Sequence, residues 1–540
     1  MKPLIQKLKN LITKLSGKAK SEVVKAAETP AAKDAAHTSA TAMSESMPMS
    51  GLNKTKIFKT TLSLLVLRVL GIVFSVTIFG VYFFSANCGK NPKSYEKMGD
   101  AYNDGNAVVK QNKEKAKENY EKAYKLGNYA VAVPLASLYD KEMAISLLEK
   151  TSLIAPEIKY VQKELGRLYD GIDDEKAFKN FKAEAEKGDA ESMYKTGRMS
   201  EEGKGTEKNI KYAVEMYERA SAKGYADAQN SLGLAYLEGE IKEKNEKKAF
   251  DLFEKAAKQG SKEGKINLAN MYYQGKGTDK NYKKAFKWYK NAAEQGNDDG
   301  EFQVAYMYAE GEGVKKDYIK SFNIYYKLAE QGEAAAQYNL GVMYSKGKGV
   351  AQNKEEAVKW FTKSAEQGNA YAQYNLGNSY ANGKGVEQDY SKAVELYRKS
   401  AEQGDAFAQN NLGLMYANGQ GVEQDYSKAV ELFRKSAEQG NATSQNNLGF
   451  MYANGQGVEQ DYSKAVELFR KSAEQGNSDG QMMLGFMYAN GQGVEQDYSK
   501  AVELYRKSAE QGNSDGQRML GLMYANGQGV EQDYSKAVEM

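Results

Sequence analysis

Two short strings have the spelling of serine acyl-transfer chemistry. Ser94-Tyr95-Glu96-Lys97 matches S-x-x-K, in which a lysine one helical turn away activates a serine, and Lys195-Thr196-Gly197 matches K-T-G. That chemistry needs the K-T-G on a strand beside the serine helix, and it needs an S-D-N loop, which the chain lacks. Thr196 falls instead on a helical position that recurs along the chain. His37 is the sole histidine, which excludes a His-based triad or a His-metal cluster. Cys88 is the sole cysteine, which excludes an internal disulfide framework and a thiolate zinc cage. The "GKG" and "GQG" loops resemble phosphate cradles, yet Gly377 stands one residue too far from Gly383-Lys384, and Gly385 follows where Ser or Thr is required. Acidic clusters such as Glu423-Gln424-Asp425 read as solvated helix starts, not Ca²⁺ sites. Lys283-Lys284-Ala285-Phe286-Lys287-Trp288 reads as the charged and packed sides of one helix, not a nucleic-acid surface. The expectation is a protein that is not an enzyme, with no cofactor, no metal, no nucleic acid and no small-molecule substrate.

The elements that carry these residues repeat. At 540 residues the chain is too long for one compact core, and a mean hydropathy of −0.70 excludes a polytopic membrane protein. Six Pro against 51 Gly suit helices separated by glycine turns. The residue before the glycine of an L-G-x-x-Y pattern falls at Leu232, Leu268, Val304, Leu340, Leu376, Leu412, Leu448, Leu484 and Leu520, every step being 36. Thr196 lies one step earlier, and Leu165, Leu135 and Met98 continue the series with looser spacing, which makes thirteen anchors. Each unit reads as two helices. In 405–440, Asp405 is a candidate N-cap, and Ala408, Leu412 and Met415 form an apolar stripe with Gly413 beside it. A mid-helix glycine costs ~1 kcal/mol relative to Ala, so its recurrence predicts a close helix crossing. Asn418-Gly419-Gln420-Gly421 breaks the helix and Asp425 caps the second. Tyr426, Ala429, Val430, Phe433 and Ala437 make the second stripe, and Gly440 ends it. Neither helix buries its stripe alone; a stack of pairs does.

These spacings resemble a known family. Residues 406–441, AFAQNNLGLMYANGQGVEQDYSKAVELFRKSAEQGN, are similar to the Sel-1-like repeat, a relative of the tetratricopeptide repeat. The resemblance covers 187–540 strongly and 91–186, as degenerate repeats, weakly. It implies an all-α, right-handed α/α superhelical solenoid used as an interaction scaffold, with bacterial relatives often exported or membrane-anchored. Ala269 and Ala305 replace the glycine after the anchor, and Asn281 replaces the capping Asp; all three preserve the physical role. The paired cysteines of some relatives are absent here. The chain stops at Met540, inside the second helix of its last unit, which reads as a sequence cut short.

Comparing units separates framework from variable positions. One tyrosine recurs from Tyr236 to Tyr524 and reads as framework. Three first-helix positions at i, i+3 and i+7 vary on a shared face. They are Tyr371/Tyr374/Asn378, Phe407/Asn410/Leu414, Thr443/Asn446/Phe450, Asp479/Met482/Phe486 and Asp515/Arg518/Leu522. The resemblance implies that first helices line a concave groove, so this strip is the expected contact for a protein or peptide ligand.

The head of the chain differs. Residues 1–59 hold eleven Lys and four acids, +7 within a chain of net +4. Residues 1–20 place Leu4, Leu8, Leu11 and Leu15 on one side among lysines, a basic amphipathic helix suited to a membrane surface. Residues 21–56 read as a disordered linker. Residues 57–86 are the one long apolar run, with no charge from Val69 to Ala86, and roughly 20 apolar residues span a bilayer. A single transmembrane helix is predicted, with Arg68 snorkelling to the near interface. The basic head sets the N-terminus in the cytoplasm and the repeats outside it. The sequence thus points to a membrane-anchored adaptor. An envelope-polymer (peptidoglycan or glycan) binder is the alternative from another class.

Overall fold

The computed structural model describes residues 91–105 and 111–539. The expectations for 1–20, 21–56 and 57–86 lie outside the described residues. Among those described there are no strands, and no helix is long and apolar enough to cross a membrane. The chain forms two compact units, one ending at Ile158 and one running from Lys159.

In the first unit the helices Pro92–Asp104 and Lys113–Lys125 pair, followed by a short 3-10 turn and the helices Ala132–Ala136 and Lys141–Ile154. Tyr120 is the centre of this core. It packs on Gly99, where an added Cβ would lie 2.3 Å from its ring, and its hydroxyl donates to Asp100 at 2.8 Å. Ala116, Ala123, Val131 and Leu135 close around it.

The second unit is an all-helical repeat solenoid. Eleven helix pairs follow one another from Val161–Tyr169 with Asp174–Glu186 to Ser514–Asn526 with Tyr534–Glu539. Most helices are thirteen residues long, so a common rule sets their ends. In the pair Ala406–Asn418 and Tyr426–Glu438, the Asp405 carboxylate accepts the Ala408 N–H at 2.6 Å, and Asp425 accepts that of Lys428 at 3.0 Å. Both satisfy backbone donors that a helix start leaves free. Gly419 takes a left-handed conformation and stops the first helix.

Two glycines set how close the backbones come. At Gly413 an added Cβ would lie 2.7 Å from the Phe433 ring, so the second-helix aromatic occupies the space that a side chain would fill. The crossing expected from the mid-helix glycine is therefore present, and it recurs at Gly377 on Tyr397, Gly449 on Phe469 and Gly485 on Tyr505. Gly421, at φ +70°, would place a Cβ 2.4 Å from the backbone carbonyl of Tyr390 in the preceding pair. This loop therefore presses backbone against backbone between successive units.

Buried polar stitches hold the pairs in register. Gln409 donates to the Ala401 carbonyl of the preceding pair at 3.2 Å and accepts from Gln439 of its own pair at 2.8 Å. Gln373 and Gln445 repeat the arrangement one unit away on either side. Ser436 donates to the Ala406 carbonyl at 2.6 Å and pins the end of the second helix to the start of the first. Interior apolar contacts run continuously through Tyr397, Leu412, Phe433 and Leu448.

Candidate partner-binding face

The five variable triplets lie on successive first helices. Their outward members are Tyr371 (61% exposed), Phe407 (60%), Phe450, Phe486 and Leu522, all large, apolar and exposed. Single exposed apolar residues are ordinary on a protein surface; the same helix face presenting one in each of five consecutive units is not. Neighbouring units also touch here. The Tyr374 ring lies 6.1 Å from Phe407 of the next unit and 6.1 Å from Tyr397, and Tyr338 lies 5.9 Å from Tyr371. These tilted ring contacts tie the strip to the core.

The remaining members divide by partner. Tyr374, Leu414 and Met482 are half-buried and pack against the core. Asn378 accepts the Tyr397 hydroxyl at 2.7 Å and the Asn411 amide at 3.0 Å. Burial pushes the Tyr397 hydroxyl up to about 12, which keeps it protonated as that donor. Asn410 is only 5% exposed and accepts from Ser444 and Asn447 of the following unit, so its polar group serves the joint between units. Asn446 is half-buried, and its carbonyl oxygen has no hydrogen-bond partner among the described residues. At its neighbours' positions the next unit carries Gly480 and Met483, neither of which offers a side-chain N–H or O–H. Arg518 is exposed and pairs with Asp515 at 3.2 Å.

A rule between distant residues underlies this division. Where the third position is Asn, as at Asn270 and Asn378, the facing second-helix aromatic is Tyr289 or Tyr397, whose hydroxyl bonds it. Where it is Leu414 or Phe450, the facing residue is Phe433 or Phe469. The recurring Asn375, Asn411 and Asn447 also lie on this face, half-buried. Their recurrence one residue before the anchor was the available signal, and reading only variable positions passed over it.

On the other side of the array, the recurrent tyrosines line clefts between second helices. Arg398 donates to the Tyr416 hydroxyl at 3.2 Å while Lys428 lies 5.3 Å from the ring centre; Arg434, Tyr452 and Lys464 repeat this. The two clefts enclose about 260 and 270 Å³. Their cations stand beside Glu431 and Glu467, which pair with Lys435 and Lys471 at 2.6 Å.

The acyl-transfer strings do not assemble their chemistry. Lys195-Thr196-Gly197 lies within the helix Ala190–Glu202, and the buried Thr196 hydroxyl donates to the Ser192 carbonyl at 2.7 Å. Ser94 lies in the first turn of Pro92–Asp104.

A profile of the Sel1 repeat matches eleven times, at 92–128 and in ten nearly contiguous segments from 190–225 to 514–540. Among solved structures, the chain is similar to c5321, a protective antigen present in uropathogenic Escherichia coli strains displaying an SLR fold. Identity is 30%, over 83% of this chain and 90% of that one, with a TM-score of 0.61. A Sel1 repeat protein from Oxalobacter formigenes is 33% identical over 44% of this chain and 94% of that one, with a TM-score of 0.42. No curated protein sequence matches. With the repeat matched along most of its length and the helix pairs in place, the chain belongs to the Sel1 repeat family.

Proposed function

We propose that this protein is a membrane-anchored adaptor that is not an enzyme and that captures a peptide or protein segment on its first-helix face. Residues 57–86 anchor it, with the basic head on the cytoplasmic side and the repeats outside the cytoplasm. The face lines the concave side of a right-handed superhelix. One observation carries the reading: the second helices of the units from Ala370 to Glu510 are nearly identical, whereas the exposed residues of the first helices change from unit to unit. Near-identical scaffolding with a varied, apolar exposed strip suits recognition, because aromatic and Met side chains bury much surface on contact. The description of the uropathogenic relative as a protective antigen fits a position outside the cytoplasm.

Replacing Phe450 and Phe486 together by Ser tests the binding face in the full-length protein. Both are exposed, so helix content and unfolding midpoint stay within error while partner capture is lost. Undiminished capture by the folded variant refutes the face. Reporter fusions after Gly89 test the topology, with activity expected only from a reporter that works outside the cytoplasm.

A further inference from the structure

We infer that the segment captured on this face is a basic amphipathic peptide, a deepening that rests on the binding face proposed above. Cations are segregated in the units from Asp298 to Glu510. In the six first helices from Asp298–Glu310 to Ser478–Asn490 the only Lys or Arg is Lys346, whereas Asp298, Asp299, Glu301, Glu310 and Asp479 are anionic. Most lysines and arginines of those units sit on the second helices, many in ion pairs such as Lys399 with Glu395 and Lys471 with Glu467, and Lys315, Lys316, Lys348 and Lys384 lie in the loops within the pairs. On these six helices an approaching positive charge thus meets Lys346 alone as a like charge, and the exposed Arg518 of the following first helix is paired with Asp515 at 3.2 Å.

The acids are also placed beside apolar side chains. Asp299 and Tyr306 lie seven residues apart on one helix, as do Asp479 and Phe486, and all four are exposed. Seven residues are two turns, about 10 Å along the axis. Each of these helices therefore presents an acid at one edge of the face and an aromatic ring at the other. Asp299 has no ion pair among the described residues, and Asp479 accepts only a neutral amide, that of Asn513 at 2.6 Å, so both charges remain available. Between them Tyr371, Phe407 and Phe450 continue the apolar surface without a charge. A partner with an apolar stripe flanked by Lys or Arg satisfies both edges. An acidic partner brings like charges together, and a purely polar one leaves the rings wet.

The test is fluorescence anisotropy on the full-length protein in non-ionic detergent, with protein-free micelles as the baseline. Three sixteen-residue peptides are compared: alternating Leu and Lys on an amphipathic pattern, the same with Glu for Lys, and the same with Ser for Leu. The Leu/Lys peptide is expected to bind at least tenfold tighter than either of the others, and more weakly as salt rises from 50 to 300 mM. The Asp299→Asn/Asp479→Asn variant is expected to weaken it about three- to tenfold, because exposed ion pairs are individually modest. No binding of the Leu/Lys peptide, equal binding of the Leu/Glu peptide, or affinity indifferent to salt overturns the inference. The Phe450→Ser/Phe486→Ser variant separates the two claims. If it loses the peptide while the Asn variant does not, the face stands and its charge preference falls. If neither variant loses the peptide, the face itself falls.

Discussion

Gly421 and Gly440 allow the contact between units to be weighed with one substitution. Both have positive φ, +70° and +90°, so an alanine at either pays a left-handed strain of about 1–2 kcal/mol. The gain from a stiffer unfolded chain is common to both and cancels. They differ in what the new methyl meets. At Gly440 nothing lies within 4 Å, while at Gly421 the Tyr390 carbonyl carbon and oxygen lie at 2.4 Å and the Ser391 nitrogen at 2.8 Å. These are backbone atoms at a capped helix start, and no rotamer change relieves the overlap. Overpacking of this kind adds about 1–3 kcal/mol. Gly440→Ala is therefore expected to cost about 1–2 kcal/mol and Gly421→Ala about 2–5. In a repeat array the damage stays near the weakened joint, so a global midpoint underreports it. Native-state hydrogen exchange is the suitable assay. Gly421→Ala should lower protection in Tyr390–Glu402 and Ala406–Asn418, the helices on either side of the joint. Equal losses from the two substitutions would show that backbone contact contributes nothing to coupling and would refute the reasoning.

Two further predictions follow from buried polar groups and caps. The Tyr505 hydroxyl is buried without a hydrogen-bond partner among the described residues, because Phe486 stands where Asn378 serves Tyr397. Tyr505→Phe should therefore stabilise by about 1 kcal/mol, and Tyr397→Phe should destabilise by about the same, in urea unfolding; effects of like sign would contradict the hydrogen-bond account. The backbone N–H groups of Lys392, Lys428, Lys464 and Lys500 hold the carboxyls of Asp389, Asp425, Asp461 and Asp497 below the usual range. A depressed folded-state value means that this stabilisation is complete above about pH 4 and fades as pH falls through the folded values. Changing all four to Asn, the residue already capping at Asn281 and Asn353, should flatten the fall in stability between pH 4 and 2; an unchanged slope would locate the acid sensitivity elsewhere.

What the sequence revealed depended on whether the cause was local. Asp405 and Asp425 were legible as caps because a cap needs only its own next turn, and the crossing at Gly413 was legible because a glycine repeated at one helical position demands a close neighbour. Variation alone marked the binding strip, but it did not separate outward residues from inward ones. Asn378 and Asn410 turn inward because of Tyr397, nineteen residues on, and Ser444, thirty-four on. The match between Asn and Tyr, or between Leu and Phe, at the two positions carried that information. The burial of Gln409 was not legible, because only the stack of units puts the Ala401 carbonyl and the Gln439 amide beside it.

The most direct test of the binding face is site-specific photo-crosslinking in intact cells, with the reactive residue placed in the full-length chain at Phe450 or Phe486 and, for comparison, at Glu431 or Glu467 on the second helices. All four positions are exposed, so accessibility alone does not favour either pair. Adducts from the first-helix positions, absent from the second-helix positions and lost when Phe407 and Leu522 are changed to Ser, are the predicted result. Equal or greater crosslinking from Glu431 and Glu467 would contradict it.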